Sequence, residues 1–209
     1  MKILGLIAGA AMLLGAQAAQ AVTIVNGSFE TPIVGGTFDT YEAGNTSLTG
    51  WTIGGAGVNH IGSYWVSQDG NQSLDLNDDD IGSISQDISG LTVGLEYKVS
   101  FYGAANPNAG PASKQLQVSA AGVNNFYSFP NGTNTNSSMG WALQTFLFVA
   151  TNTTETLTFL GLTGGPAGVA LDNITIAATP IPGALLLFGS ALGGMGFLGY
   201  RRKKLQAAA

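Results

Sequence analysis

Between residues 22 and 179 the chain alternates apolar and polar residues with a period of two, and this pattern constrains its fold more than any other feature. Tyr97, Val99 and Phe101, for example, fall on one face of an extended segment. The alternating segments are 96–101, 114–119, 155–159 and, in part, 171–176. Because successive side chains of a β-strand point to opposite faces, each segment is predicted to be a strand with one buried face.

Clusters of glycine, asparagine and proline separate these segments, as at 106–111, 131–138 and 161–166. A longer apolar stretch, 141–150, predicts a central strand, and no part of 22–179 shows a convincing helical stripe. Many short strands divided by turns predict an all-β fold, a β-sandwich of the jelly-roll type, and 158 residues are enough for one core.

The charge of this body excludes one class of partner. All twelve acidic residues lie between Glu30 and Asp172, against only Lys98 and Lys114, which gives a net charge of −10. Such a body repels phosphate groups, so no nucleic-acid partner is expected. The chain has no cysteine, so its stability must come from the core and from a bound ion if one is held.

The N-terminus has the features of a secretory signal peptide over residues 1–21. Lys2 supplies a positive charge, residues 3–15 are apolar, and Ala19 and Ala21 form a small-residue cleavage site. The alternative is an amphipathic or buried N-terminal helix. The signal peptide predicts that the chain is exported.

The C-terminus has the features of a membrane segment. Pro180 and Pro182 precede eighteen uncharged residues, 183–200, which as a helix would nearly span a hydrocarbon core. Arg201 and Arg202 open the basic cluster 201–204, which is expected to stay in the cytoplasm, and 205–209 form a short tail. The alternative to a processed signal is an ordinary tail anchor.

The order of these elements in 180–204 resembles the PEP-CTERM sorting signal of bacterial envelope and extracellular proteins. Ile181 stands where that family usually has glutamate. The resemblance implies recognition by an exosortase-type enzyme. It also implies a final location at the cell envelope, on the outer surface or outside the cell, with the C-terminal helix as a transient or permanent inner-membrane anchor.

The body itself resembles the choice-of-anchor C family of bacterial surface proteins. The matching segments run in order through the body: 25–30, 50–51, 61–65, 69–70, 73–76, 82–86, 139–141 and 170–174. The resemblance implies a galactose-binding-like jelly roll, like those of carbohydrate-binding modules. No enzymatic activity is established for that family in general, so the resemblance implies architecture and location more than chemistry.

The same resemblance implies a structural calcium ion where the first and last strands meet, with Glu30 and Asp172 as ligands. Calcium prefers carboxylate and carbonyl oxygens, and a strongly acidic body favours cation binding. The alternative is that both carboxylates accept hydrogen bonds from turns without a metal.

A second group of carboxylates lies at 75–80, which includes three adjacent aspartates. The spacing lacks the glycine and the terminal glutamate of an EF-hand loop, so a solvated acidic turn between two strands is favoured over a cation site. Asp75 is expected to point away from the face that Leu74 and Leu76 share.

Aromatic residues near amides suggest a glycan-binding platform, because sugar C–H groups stack on aromatic faces while amides bind hydroxyls. The candidates are Tyr64, Trp65, His60, Tyr102 and Asn106. The alternative for large aromatics is burial in the core, which is expected for Trp51 and Trp141 and stays open for Tyr64 and Trp65.

No catalytic residue is predicted. His60 is the only histidine, no serine lies in a nucleophile elbow, and a zinc site is disfavoured without cysteine. We therefore expect a non-enzymatic exported protein that binds or organises extracellular polysaccharide. The alternatives are a structural or adhesion protein that acts through protein contacts and, second, a glycoside hydrolase.

Overall fold

The computed structural model describes residues 22–179, which form two stacked antiparallel β-sheets without an α-helix. None of the described residues belongs to a helix long and apolar enough to cross a membrane. The predicted signal peptide, 1–21, and the predicted sorting segment, 180–204, lie outside the described residues, as does the tail that follows.

Eleven strands, numbered in chain order, make up the two sheets. The six-stranded sheet has the order β1 (Phe38–Tyr41), β3 (Val58–Ile61), β4 (Ser73–Asp75), β11 (Val169–Ala178), β6 (Glu96–Ala105) and β9 (Ala142–Val149). The five-stranded sheet has the order β2 (Thr52–Gly55), β5 (Gly82–Ser89), β10 (Thr154–Gly161), β7 (Ser113–Ala120) and β8 (Val123–Pro130).

The strand pairing is that of a jelly roll. β7 pairs with β8, β6 with β9, β5 with β10, and β4 with β11, so that the pairs are nested in sequence like the two arms of one long hairpin. Successive pairs alternate between the two sheets, which rolls the hairpin into a sandwich. The predicted all-β jelly-roll sandwich is confirmed.

The main core fills the space between the two sheets. Phe101 of β6 is fully buried and contacts Phe159 of β10 and Tyr127 of β8 edge-to-face, each at a ring-centroid distance of 5.2 Å. Tyr97 and Val99 are buried on the same side of β6, as the alternation predicts. Each such side chain contributes roughly 1.5–3 kcal/mol of hydrophobic stabilisation, which holds the sheets together.

The prediction that 141–150 forms a central strand is wrong. β9 is an edge strand that pairs only with β6, and the central positions belong to β4 and β11. Phe146 and Phe148 face the core, whereas Leu143 and Leu147 are 56% and 45% exposed on the other face. The apolar run therefore reflects an uncovered outer face and not burial on both sides.

Candidate functional site: a cleft beside the six-stranded sheet

A second, smaller apolar cluster lies on the outer face of the six-stranded sheet, where two loops fold back over the strands. Its buried members are Ile61, Trp65, Ala104, Met139 and Ala170. The backbone N–H of Val66 donates to the carbonyl of Asn136 at 2.9 Å, and the Trp141 indole donates to the Val66 carbonyl at 3.0 Å. The loops 62–72 and 131–141 are thus joined to each other above the sheet.

Next to this cluster, a cleft of about 390 Å³ opens between the loops at one end of the sandwich. It is lined by Phe38, Asn59, Ile61, Tyr64, Trp65, Asp75, Asp78, Asp79, Asn106, Asn108, Ala109, Pro166 and Ala167. Aromatic rings therefore share one cleft with amide and carboxylate groups.

Phe38 and Tyr64 form the exposed part of the aromatic side of the cleft. Their rings meet edge-to-face at 5.6 Å, and Phe38 is 42% exposed while Tyr64 is half-buried. Trp65 packs behind Tyr64 at 5.6 Å, is only 4% exposed, and donates its indole N–H to the hydroxyl of Ser73 at 2.8 Å. Of the two residues left open by the sequence, Trp65 is core and Tyr64 presents its ring. Trp51 is buried as expected, and Trp141 is partly buried against the second cluster.

The floor of the cleft contains a buried carboxyl group, that of Asp75. It accepts hydrogen bonds from the Asn106 amide at 2.6 Å, the Gly168 N–H at 3.0 Å and the Asn77 N–H at 3.2 Å. Burial raises the pKa of Asp75 to about 7, although the three hydrogen bonds and the charge of Lys114 favour ionisation. As predicted, Asp75 points away from the core face of its strand.

Residues 106–112 form one wall of the cleft, and hydrogen bonds from buried polar side chains hold this wall in place. The Asn106 side-chain oxygen accepts from both the N–H and the amide of Asn108, and the Asn108 amide also donates to Asn136 at 2.9 Å. Lys114 is fully buried and donates to the Ala109 carbonyl at 2.5 Å. Burial lowers the pKa of Lys114, while the charge of Asp75 opposes that shift. Asn106 and Lys114 therefore fix the shape of the wall.

The structure brings together three of the five candidate glycan residues, Tyr64, Trp65 and Asn106, but not His60 or Tyr102. His60 is fully buried on the inner face of β3, where its Nε2 lies 2.6 Å from the Phe29 carbonyl, and burial lowers its pKa. Tyr102 is on the outer face of β6, four residues and about 13 Å along the strand from Asn106. His60 is directed away because the period of two puts its neighbours Asn59 and Ile61 on the cleft side.

Several cleft residues carry no clear sign in the sequence. Phe38 lies on the short edge strand β1, and Pro166 and Ala167 come from the β10–β11 loop. Asn108 belongs to a segment that the sequence identifies only as a turn. The acidic run was the available signal for Asp78 and Asp79, but it did not indicate which aromatic residues would lie near them.

The acidic run 75–80 forms the predicted turn, between β4 and β5. Asp79 and Asp80 are exposed, whereas Asn77 is fully buried and donates its amide to the carbonyls of Thr163 and Gly165 at 2.7 and 2.6 Å. The solvated part of the turn is therefore its second half. The first half is buried and is hydrogen-bonded to the β10–β11 loop through Asn77.

Asp172 anchors one end of the loop 67–72. Its carboxylate accepts backbone N–H bonds from Gln68 at 2.8 Å, Asp69 at 3.0 Å and Asn173 at 2.7 Å. Burial raises the pKa of Asp172 to about 7, and the charge of Asp69 adds to the shift, while the three N–H groups oppose it.

Glu30 anchors the other end of the same loop. Its Oε1 accepts the N–H groups of Asn71 and Gln72, both at 2.8 Å. Gly70 has a positive φ of 63°, in the left-handed region that favours glycine, and a Cβ there would collide with the Glu30 carboxylate.

Glu30 and Asp172 thus accept hydrogen bonds from the backbone, which is the alternative to calcium binding that the sequence left open. No cluster of three or more Asp, Glu, His or Cys side chains suited to a metal occurs within residues 22–179. Backbone N–H groups donate to Glu30 Oε1 and to both carboxylate oxygens of Asp172. Calcium binding by this pair stays a prediction.

Two other grooves lack the aromatic lining of this cleft. One lies beside β2 and β5, where Thr52, Ser85 and Asp87 line it, and the other lies near Ile33 and Ser63. Ligand sites combine apolar surface with a few placed polar groups. The cleft at Tyr64 matches that description best.

A model of the family described as "Protein of unknown function (DUF642)" matches residues 22–177. The chain is also 34% identical over 184 residues to Halomucin of Haloquadratum walsbyi (strain DSM 16790 / HBSQ001). That match covers 85% of this chain and 2% of Halomucin, so the chain spans a small fraction of this relative.

Solved structures similar to this chain include carbohydrate-binding modules. TmCBM61 in complex with beta-1,4-galactotriose is 18% identical with a TM-score of 0.47, over 74% of this chain and 96% of that one. A family 35 carbohydrate-binding module from Clostridium thermocellum is 10% identical with a TM-score of 0.45, over 69% and 100%. At these identities and scores, the ligand of this chain must be inferred from its own cleft.

Proposed function

The chain belongs to the family described as "Protein of unknown function (DUF642)", and from this premise we propose that its sandwich is a non-catalytic module that binds extracellular polysaccharide. The proposed site is the cleft between Tyr64 and the 106–112 wall. The observation that carries the proposal is the pair of accessible rings, Phe38 and Tyr64, in one cleft with Asn108 and the aspartates.

This arrangement suits a sugar ring. A pyranose presents C–H groups on its faces, which stack on aromatic rings, and hydroxyls on its edge, which need hydrogen-bonding partners. Tyr64 is backed by Trp65 and braced by Phe38, so its ring is held in place before a ligand arrives. Such preorganisation reduces the entropic cost of binding. A cleft of about 390 Å³ accommodates a short stretch of a glycan chain.

The burial of Asp75 supports a structural role for this residue over a catalytic one. A glycoside hydrolase needs two carboxyl groups that reach the glycosidic bond. Asp75 is 1% exposed, and both of its oxygens accept hydrogen bonds from the protein. We assign it to supporting the cleft wall.

We further propose that the chain acts outside the cytoplasm. The support is the signal-peptide pattern of 1–21 and the resemblance of 180–204 to a sorting signal read by an exosortase-type enzyme. A shallow cleft gives weak contact with one glycan, and many copies displayed on one surface gain avidity. Calcium held by Glu30 and Asp172 is proposed only as a structural ion.

The test is calorimetric titration of the purified chain with a panel of oligosaccharides, comparing Tyr64→Ala with Tyr102→Ala. We expect Tyr64→Ala to weaken binding at least about tenfold through lost stacking and buried area. Tyr102→Ala, a matched change outside the cleft, is expected to leave affinity within about twofold. A flat response of the unaltered chain to every glycan would instead support a structural or adhesion protein, and release of shorter sugars would support a hydrolase.

A further inference from the structure

The cleft has a strongly one-sided charge. Asp75, Asp78 and Asp79 line it, and no lysine, arginine or histidine is among its described lining residues. In the 75–80 turn, Asp75 and Asp80 accept hydrogen bonds and the Asn77 amide donates them, whereas the carboxylates of Asp78 and Asp79 are left available to a ligand. These two carboxylates lie in the same cleft as the Tyr64 and Phe38 rings.

Neither lysine of the described body contacts Asp78 or Asp79, although the charge of Lys114 acts on the buried Asp75. Lys114 is fully buried, and its ammonium group donates to the Ala109 carbonyl behind the cleft wall. Lys98 pairs with Ala177 and Leu147, eight residues and about 26 Å along β6 from Asn106. The rim of the cleft, formed by Asp78 and Asp79, therefore keeps its negative charge on a body whose net charge is −10.

From this geometry, and resting on the proposed glycan function, we infer that the cleft selects sugars with a protonated amino group. The ligand class is a polysaccharide containing hexosamine residues with free amines. Its ammonium group contacts Asp78 or Asp79 while the sugar face stacks on Tyr64. Aromatic rings also attract a nearby cation through their quadrupole, which adds to the preference. Uronate and sulfate groups are repelled by the same carboxylates.

The experiment measures affinities of the full chain for three oligomers of matched length. They are β-1,4-linked glucosamine, its N-acetylated form and galacturonate, titrated by calorimetry under mildly acidic conditions at low and high salt. We expect the glucosamine oligomer to bind most tightly and to weaken as salt rises, because salt screens the rim charges. The acetylated oligomer binds more weakly with little salt dependence, and galacturonate does not bind.

The variants Asp79→Asn and Asp87→Asn separate a local contact from net charge, since each removes one negative charge. Asp87 lies on the five-stranded sheet, where it accepts from the Thr156 hydroxyl. Asp79→Asn is expected to weaken glucosamine binding about fivefold, as for an exposed ion pair, and to weaken binding of the acetylated oligomer, which has no ammonium group, by a smaller factor. Asp87→Asn changes neither.

The outcomes separate this inference from the proposed function. Equal affinity for the amine and acetylated oligomers, or equal effects of the two variants, overturns the amine selectivity and leaves glycan binding intact. Failure of all three oligomers to bind overturns the amine selectivity, and a flat response to the wider oligosaccharide panel overturns the proposed function as well.

Discussion

Asn106 shows how a single side chain supports the cleft. It donates to Asp75 on the sheet and accepts from Asn108 in the loop, so it joins the floor to the wall. It is 4% exposed, and its role is therefore support more than direct contact with a ligand. The sequence placed Asn106 among the glycan residues, and the structure explains its presence by this connection.

Replacement of Asn106 by alanine tests the connection. Asn106→Ala removes the donor to a buried carboxyl and the acceptor of two loop groups, and we expect a loss of about 2–3 kcal/mol of unfolding free energy in urea. Asn71→Ala, at an exposed position, is the matched control and should cost less than about 0.5 kcal/mol. Equal costs for the two variants would contradict the supporting role.

A variant of Asp172 separates the predicted calcium ion from the hydrogen bonds that this carboxylate accepts from the backbone. Asp172→Ala leaves three backbone N–H groups without their acceptor, so we expect a loss of about 3 kcal/mol with or without chelator. Bound calcium would add a second effect, because a chelator would lower the melting temperature of the unaltered chain and not of the variant. Scanning calorimetry of both proteins with and without chelator measures the two effects separately.

At the scale of the strand, β6 tests the alternation directly through two adjacent aromatics. Phe101 is fully buried between the sheets, and Tyr102 lies on the outer face. We expect Phe101→Ala to cost about 3–5 kcal/mol through lost contacts and the cavity it leaves, and Tyr102→Ala to cost less than about 1 kcal/mol. Urea unfolding measures both, and a reversed order would mean that the strand faces the other way.

The sequence predicts the strands of this fold well because alternation is a local signal. The segments 96–101 and 114–119 fall within β6 and β7, and their buried faces agree with the pattern. The neighbours of a strand are not local, and so the edge position of β9 could not be read from its apolar residues. The packing of the covering loops is equally hard to predict, since nothing near Trp65 in the sequence indicates that it packs over Ala104 and Ala170.

The cleft was predictable only where its residues come from one segment. Tyr64 and Trp65 are identified together because they are adjacent, and Asn106 because it is an amide near Tyr102 in the sequence. The rest of the lining comes from segments far apart, such as Phe38 and Pro166. His60 was grouped with Tyr64 by proximity in sequence, but the alternation of β3 turns it to the inside.

For the molecule as a whole, two buried carboxyl groups set the response to pH. Burial raises the pKa values of Asp75 and Asp172 to about 7, above the value near 3.9 expected in the unfolded chain. The folded state therefore holds more protons between about pH 4 and about pH 7, and the free energy of unfolding falls as pH rises through this range. His60 has the opposite effect below about pH 6.5. Because burial lowers its pKa, the unfolded chain holds more protons at this residue, and the free energy of unfolding rises with pH. One imidazole offsets only part of the effect of two carboxyls.

We therefore expect the melting temperature to be higher near pH 5 than near pH 8, by roughly 5–10 °C, since each carboxyl contributes up to about 1.4 kcal/mol per pH unit. Asp75→Asn removes one of the two titrating groups, so the difference between the two pH values should shrink whatever the absolute stability of the variant. Asp87→Asn, an exposed carboxylate, should leave that difference unchanged. Scanning calorimetry of the three proteins at both pH values makes the comparison. A melting temperature that falls on acidification, or an equal pH difference in Asp75→Asn, would show that these buried carboxyls are ionised in the folded chain.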